Sequence, residues 1–252
     1  MEEEKEYFLC IVAIFKNEAL ILEEWLNHYI NQGVEHFYLI DNGSTDNYKN
    51  ILLKFNNVTC ITDDKKYKQP EHYNKYLSTI KSSSEWVIVV DLDEFIYARN
   101  GFNSIKSVLL TIDCDVLSIG WKMFGSSNHI EQPLSVRTGF TYRQKGASHR
   151  INNKEIIRTS VLDKFISPHE QLTSGKKIVM PNKSFDEESL RDCVLHLNHY
   201  AIQSKSFFEK IKMTRGDVAI AACKNIRDWN YFNAYDHKEI LDEELKNIAL
   251  QN

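Results

Sequence analysis

Glycine and proline are scarce in this 252-residue chain, numbering nine and four. That scarcity excludes a collagen-like repeat and a Pro/Gly-rich low-complexity or mostly disordered chain. Long apolar runs are missing as well. The run over residues 8–15 falls far short of the roughly 20 residues that span a bilayer, and nothing later comes closer. Cysteine is limited to Cys10, Cys60, Cys114, Cys193 and Cys223, an odd and scattered set with no CxxC pair. Such a set argues against a disulfide framework or a cysteine-rich zinc site, and for reduced thiols. Neither sign of charge dominates, since 31 basic residues stand against 35 acidic ones, a net of −4. The whole molecule is therefore no polyanion binder, and without a recognisable module no nucleic-acid partner is expected. The opening Met1-Glu-Glu-Glu-Lys-Glu6 is acidic where a secretory leader is basic. The expected location is cytoplasmic, or peripheral on a membrane face.

What is present is an ordinary globular composition, 42% hydrophobic and 12% aromatic, enough to fill a substantial core. Residues 8–15 are continuously apolar, as in a strand buried on both faces of a parallel sheet. Over 18–32, Leu22, Trp25, Leu26 and Tyr29 fall at helical spacing, and Gly33 stands where the helix should stop. A strand over 34–40 leads into Asp41-Asn-Gly-Ser-Thr-Asp46, which combines turn residues with N-caps for a helix over about 47–55. A short strand comes next at 58–62. Pro70 then opens a helix with Tyr73, Tyr76, Leu77 and Ile80 on one face. Residues 86–90 form a second fully apolar strand. This alternation predicts a mostly parallel sheet flanked by helices, with ligands at the carboxyl ends of strands. Later come a helix over 105–111, a strand over 116–121, loops with short strands over 125–153, and helices over 204–216 and 238–250. With no internal repeat and no linker, the whole of 1–252 reads as one domain.

The sharpest chemical feature is Asp91-x-Asp93 at the end of the second apolar strand. Two carboxylates held there can reach one hard cation, Mg²⁺ or Mn²⁺, that keeps positions open for phosphate oxygens. A solvated acidic turn would read the same way. Lys16-Asn-Glu18 and the turn from Asp41 both come after strands and before helices, placing them to meet a phosphate, or for Asp41 a ribose or base; plain N-capping is the alternative. His196 and His199 lie on a predicted strand over 194–200, so they point to opposite sides and at most one joins a given site. His169-Glu170 is an acid/base candidate, or a loop pair. Lys205, Lys212 and Arg215 share a sector of the next helix, solvated or facing a diphosphate. From Arg137 to Lys164 seven Lys/Arg stand against two acids, a stretch suited to an anionic acceptor or membrane surface.

Taken in order, several motifs resemble family-2-type glycosyltransferases, and most nearly glycosyltransferase family 92. They are Ile11-Val-Ala-Ile-Phe-Lys-Asn-Glu18, Glu24-Trp-Leu-x-His28, the His36–Asp46 turn segment and Val89-Val-Asp-Leu-Asp-Glu-Phe95. Trp121-x-x-Phe-Gly-Ser126, Arg158 with His169 after it, His199-Tyr200, Lys205 to Lys210 and Arg215-Gly216 extend the likeness to about residue 217. The resemblance implies a GT-A, Rossmann-like fold: a nucleotide-binding half over about 8–100, an acceptor half over about 101–217, and a helical extension over 218–252.

The same resemblance implies metal-dependent, inverting transfer of a sugar from a nucleotide-sugar donor, most often a UDP-sugar, to a hydroxyl of a glycan or glycolipid. Asp91, Asp93 and His199 would hold Mn²⁺ or Mg²⁺. Lys16, Asn17, Glu18 and Asp41 would line the nucleotide pocket, and Lys205 and Arg215 would hold the departing diphosphate. Trp121, Phe124 and Gly125 would face the acceptor. Glu170 is the expected base, with His169 the alternative. The family-2 Glu-Asp pair and the QxxRW of processive polymerases are both missing. A sugar nucleotidyltransferase or hydrolase, or a non-catalytic nucleotide-sugar-binding module, is the competing reading.

Overall fold

The first apolar run forms β1 (Tyr7–Phe15), whose last seven residues are buried. The computed structural model describes residues 4–65, 68–147, 153–181, 186–215 and 227–251. In it, β2 (His36–Asp41) pairs parallel to β1, with Phe15 opposite Asp41, and β3 (Val58–Thr62) pairs parallel to β2. β4 (Ser84–Val89) flanks β1 on the other side, again parallel. The carboxyl ends of β1, β2 and β4 therefore share one edge of the sheet, which gathers Lys16–Glu18, Asp41 and Asp91 there.

Between these strands run α1 (Ala19–Asn31), α2 (Tyr48–Leu52) and α3 (Gln69–Ser83). The α1 stripe buries Leu22, Trp25, Leu26 and Tyr29. Gly33 comes after the helix at φ +89°, and a Cβ there would come within 2.6 Å of the Lys106 Cβ. Both the left-handed backbone and the close approach require glycine. Pro70 lies in the first turn of α3, whose buried face includes Tyr73, Tyr76 and Ile80.

The second half is less regular. Directly after the acidic turn comes β5 (Glu94–Ala98), then β6 (Val116–Met123), β7 (Tyr142–Arg143) and β8 (Asn153–Arg158). β9 (Leu162–Phe165) and β10 (Gln171–Thr173) make a separate hairpin. β11 (Lys177–Met180) and β12 (Leu195–His199) complete the main sheet. Its order is β3-β2-β1-β4-β8-β6-β12-β5, with β11 also on β6. β8 runs antiparallel between β4 and β6, and β12 antiparallel to β5; the remaining pairings are parallel. This is the expected mixed, mostly parallel α/β sheet flanked by helices.

The C-terminal region departs from the single helix predicted over 238–250. The chain instead forms a helix at Trp229–Tyr235, the two-residue β13 (Ile240–Leu241) against β7, and a helix at Glu244–Ala249. The cause is Asp242, which accepts from the Lys122 ammonium at 2.9 Å and from Arg143 Nε at 2.6 Å. Those bonds hold the chain extended where helical spacing alone would continue. Cys10, Cys60, Cys114 and Cys193 are free thiols, whereas Cys223 lies outside the described residues. Among the described residues, no helix is long and apolar enough to cross a membrane.

Candidate nucleotide and metal site

The acidic turn connects β4 to β5 and is clamped from behind by α1. The Trp25 indole N–H donates to the carbonyls of both Asp91 and Glu94, each at 3.2 Å. The Tyr29 hydroxyl donates to the Glu94 carbonyl and accepts from the Ile96 N–H, both at 3.0 Å. These two aromatics belong to the apolar stripe, yet each brings a polar handle that a buried ring must satisfy. The backbone carrying the two aspartates is thereby fixed before any ligand arrives.

Two lysines neutralise the acids. Lys154, fully buried on β8, donates to Asp91 Oδ2 at 2.7 Å and lies 3.2 Å from Glu94 Oε2. Glu94 Oε2 also caps the turn by accepting from the Asp91 N–H at 2.7 Å. Lys212, with its side chain fully buried, sits 2.5 Å from Asp93 Oδ2 and 3.5 Å from Glu18 Oε1. Burial works against the charged form of Asp91, but the Lys154 ammonium outweighs it and holds the carboxyl below its usual range. For Glu94 the balance reverses: burial, with the charges of Asp91 and Asp93, pushes its carboxyl well above the usual range despite Lys154.

His199 ends β12 and turns toward Asp93, with Nε2 3.4 Å from Asp93 Oδ1. Burial lowers its pKa against the pull of Asp93, so the ring is neutral, the form that ligates metals. Its Nδ1 is buried with no hydrogen-bond partner among the described residues. His196 points the other way, to the Leu190 carbonyl at 2.9 Å and Glu244 at 3.0 Å, as strand alternation predicts. Trp121 stands between two imidazoles, with ring centroids 4.2 Å from His199 and 5.1 Å from His169. His169 is held by its Nδ1 donating to the Asn153 carbonyl at 3.3 Å. Burial and the nearby Lys154 bring its pKa down to about 4, leaving it neutral at pH 7.

The residues fit a divalent cation by chemistry. Two carboxylates and a neutral imidazole suit Mn²⁺ or Mg²⁺, and the buried Lys212 ammonium shows that positive charge is accommodated at Asp93. Lys154 donates to one oxygen of Asp91, Oδ2. Still, no three His, Cys, Asp or Glu side chains among the described residues are already set around one point.

The other expected residues fall into two groups. Asn17, at φ +54°, ties the β1 and β2 turns together: its N–H donates to Ser44 Oγ at 2.9 Å, and its Oδ1 accepts from the Thr45 N–H at 2.8 Å. Glu18 is buried at the start of α1 and reaches Lys212, while Lys16 is half-buried beside it. Asp41 is buried, with its two oxygens accepting from the Ser44 N–H at 2.7 Å and the Tyr48 O–H at 2.9 Å. These bonds shape the turn. The remaining described residues are held by partners other than the acids or are exposed. Phe124 packs on Tyr200 at 4.9 Å, and Gly125 admits the His237 backbone so closely that a Cβ would lie 2.3 Å from its carbonyl oxygen. Glu170 has an exposed side chain, its backbone tied to Ser167. Lys205 is exposed at the start of its helix. Arg215 ends the helical segment, with its side chain outside the described residues, as is Gly216.

Sequence reasoning alone misses Lys154. It is hidden in the basic stretch that the charge count reads as an acceptor surface. The one signal in the sequence is an apolar pair, Ile156 and Ile157, shortly after it, which marks a buried strand.

Fold and site together define an α/β protein with an acidic turn and a histidine converging at the carboxyl edge of its sheet. The sequence profile of glycosyltransferase family 92 matches residues 5–208, and the chain belongs to that family. A family 92 protein of Oryza sativa subsp. japonica is 24% identical over 217 residues, covering 81% of this chain and 35% of the relative. One from Ricinus communis is 24% identical over 220 residues, covering 82% and 38%. The chain thus spans little more than a third of the length of these curated relatives. Solved structures with remote likeness include HddC from Yersinia pseudotuberculosis, at 12% identity, TM-score 0.42, and coverage of 69% of this chain and 90% of that one. Another is glucosyl-3-phosphoglycerate synthase from Mycobacterium tuberculosis with Mn²⁺ and UDP-glucose, at 12% identity, TM-score 0.37, and coverage of 62% and 57%.

Proposed function

We propose that the protein transfers a sugar, with inversion, from a UDP-sugar to a hydroxyl of a glycan or glycolipid. The observation that carries this reading is the clamped Asp91-x-Asp93 turn with His199 facing it, in a chain of glycosyltransferase family 92. Asp91, Asp93 and His199 would hold Mn²⁺ or Mg²⁺, which when bound supplies positive charge against the donor diphosphate. Asn17, Glu18, Lys16 and the turn shaped by Asp41 receive the nucleotide. Lys205 and Arg215, on the segment after His199, take up the charge of the leaving diphosphate. Trp121, half-buried beside His199 and His169, would meet the acceptor. Phe124 is buried on Tyr200 and Gly125 lies against the His237 backbone, so those two serve packing instead.

His169 is the better placed of the two base candidates, because its ring lies beside Trp121 whereas the Glu170 side chain is exposed. A neutral imidazole accepts the acceptor hydroxyl proton. The hydroxyl oxygen then bonds to the anomeric carbon as the bond to the diphosphate oxygen breaks, and the nucleoside diphosphate departs with that electron pair. The basic stretch of 137–164 is not proposed as an acceptor surface, because Arg137, Arg143, Lys154 and Arg158 are paired to Glu24, Asp242, Asp91 and Glu85.

The test is a donor screen with Mn²⁺, monitoring release of nucleoside diphosphate. Transfer should appear with a UDP-sugar, vanish in EDTA, and fall by roughly 10²-fold or more in Asp93→Ala. Undiminished turnover in either case would sink the metal assignment. His169→Ala should lose roughly 10²- to 10⁴-fold, as for removal of a general base, while Glu170→Gln retains most turnover. The reverse ranking would return the base to Glu170.

A further inference from the structure

The cation place beside Asp93 is filled by one of the protein's own side chains, and the helix that delivers it is irregular. Residues Lys205–Phe207 begin as an α-helix capped by Ser204, Phe208–Lys212 form a π-helical turn, and Met213–Arg215 return to α. A π-turn inserts one residue, rotating the next residues by about 100° relative to an unbroken α-helix. Here it anchors Phe207 and Phe208 in apolar packing and still turns Lys212 inward, where its side chain is fully buried between Asp93 and Glu18. π-turns of this kind occur often at functional sites.

Both lysines of the site are paired to two carboxylates, and what differs is the element that carries each. Lys154 projects from a central strand towards Asp91 and Glu94. Lys212 ends an irregular helical turn and carries a compact charge on a flexible four-carbon stem. A divalent cation approaching Asp93 meets that ammonium at close range, where like charges repel strongly in a poorly screened interior. The ammonium can yield its place at low cost only if a new anion receives it.

We infer that Lys212 is a built-in counter-cation that keeps a divalent cation off Asp93 until a nucleoside diphosphate arrives to receive the displaced ammonium. Metal and nucleotide then bind cooperatively, each helping the other by the same factor, as linkage requires. The inference rests on the metal reading of Asp91 and Asp93, and concerns the order and strength of binding rather than the transfer itself.

The experiment titrates Mn²⁺ into the full chain with and without UDP, measuring free Mn²⁺ by electron paramagnetic resonance. Wild type should bind Mn²⁺ weakly alone and roughly tenfold or more tightly with UDP. Lys212→Met should bind Mn²⁺ alone roughly tenfold more tightly than wild type, with the effect of UDP reduced by a similar factor, to what the direct attraction of metal and diphosphate supplies. Should the methionine variant fail to fold, Lys212→Gln keeps a donor for Asp93 without the charge and should show the same two changes. Unchanged or weaker Mn²⁺ binding in the folded variant, with the UDP effect intact, would overturn the proposal while leaving the metal reading standing. No Mn²⁺ binding by wild type under either condition would overturn both, since there would be no cation to exclude.

Discussion

The turns that end β2 and β4 lie on the same edge of the sheet, and both bury carboxylates, but they neutralise them differently. The Asp41 turn closes on itself. Its carboxylate accepts from Ser44 three residues on and Tyr48 seven residues on, and Asn17 bridges it to the neighbouring β1 turn. The Asp91–Asp93 turn depends on charges from far along the chain, Lys154 at a separation of 63 residues and Lys212 at 119. A locally satisfied turn is rigid and inexpensive to form. A turn balanced by distant ammonium groups ties the later half of the chain to the site, and it can exchange one cation for another. Metal exchange is therefore expected at the second turn, and shape recognition at the first.

The contrast breaks most sharply at Lys154. Replacing it by Met leaves Glu94 and Asp91 without their buried partner, and removal of one member of a buried ion pair costs about 3–5 kcal/mol. Urea unfolding should report a loss of that size, with part of it restored when Glu94→Gln is added. A loss below about 1 kcal/mol, the range of an exposed pair, would mean that water screens Asp91, so that Lys154 holds nothing together.

A second long-range cluster sharpens the comparison through pH. Asp242 anchors the C-terminal segment to Lys122 and Arg143. Burial alone would raise its pKa, but those two cations outweigh it and bring the carboxyl down to about 2. A depressed carboxyl stabilises the fold above its unfolded pKa and loses that contribution as pH falls through its folded one. For Asp242 this amounts to about 2 kcal/mol lost between roughly pH 5 and pH 2. Thermal melting over that range should show the decline, and Asp242→Asn should be less stable at neutral pH with a flatter acid limb. A variant curve parallel to wild type would assign the acid sensitivity to other carboxylates.

The same division explains what can be read from the sequence. The strands β1, β2 and β4 and the helices α1 and α3 are legible, because each is a continuous apolar run or a stripe that its own residues define. Asp91 and Asp93 are legible for a similar reason, standing at the end of an apolar run. Spacing leaves His196 and His199 open, and only the family resemblance points to His199. β8 is not legible, since Asn-Lys-Glu-Ile-Ile-Arg shows neither an apolar run nor an alternation, and its Lys154 and Glu155 are buried only by pairing with Asp91 and with Lys177, 2.5 Å away. The predicted terminal helix fails likewise, because Asp242 answers to Lys122 and Arg143 rather than to the periodicity around it. Local pattern reveals elements whose stabilising contacts are local, and charge pairs across the sheet are invisible to it. Trp25 and Tyr29 stand between these cases: their burial is plain from spacing, but the carbonyls they bond belong to a turn more than sixty residues away.

The smallest expected effect lies at the local turn. Tyr48→Phe removes a single hydrogen bond to Asp41 and keeps the ring packed edge-on against Phe15, 5.0 Å away. Loss of one bond to a carboxylate costs about 1.5 kcal/mol. Asp41 retains its bond from the Ser44 N–H, so the turn should keep its shape. Urea unfolding should register that modest loss, while Mn²⁺ binding without nucleotide stays at the wild-type value, because no ammonium or carboxylate of the second turn has moved. UDP binding is the discriminating measurement. If the first turn recognises nucleotide through a shape set locally, affinity should fall by only a few fold, in proportion to the small loss of rigidity. A large fall in metal affinity from this hydroxyl would show instead that the two turns respond as one unit, and the separation between shape and charge would have to be abandoned.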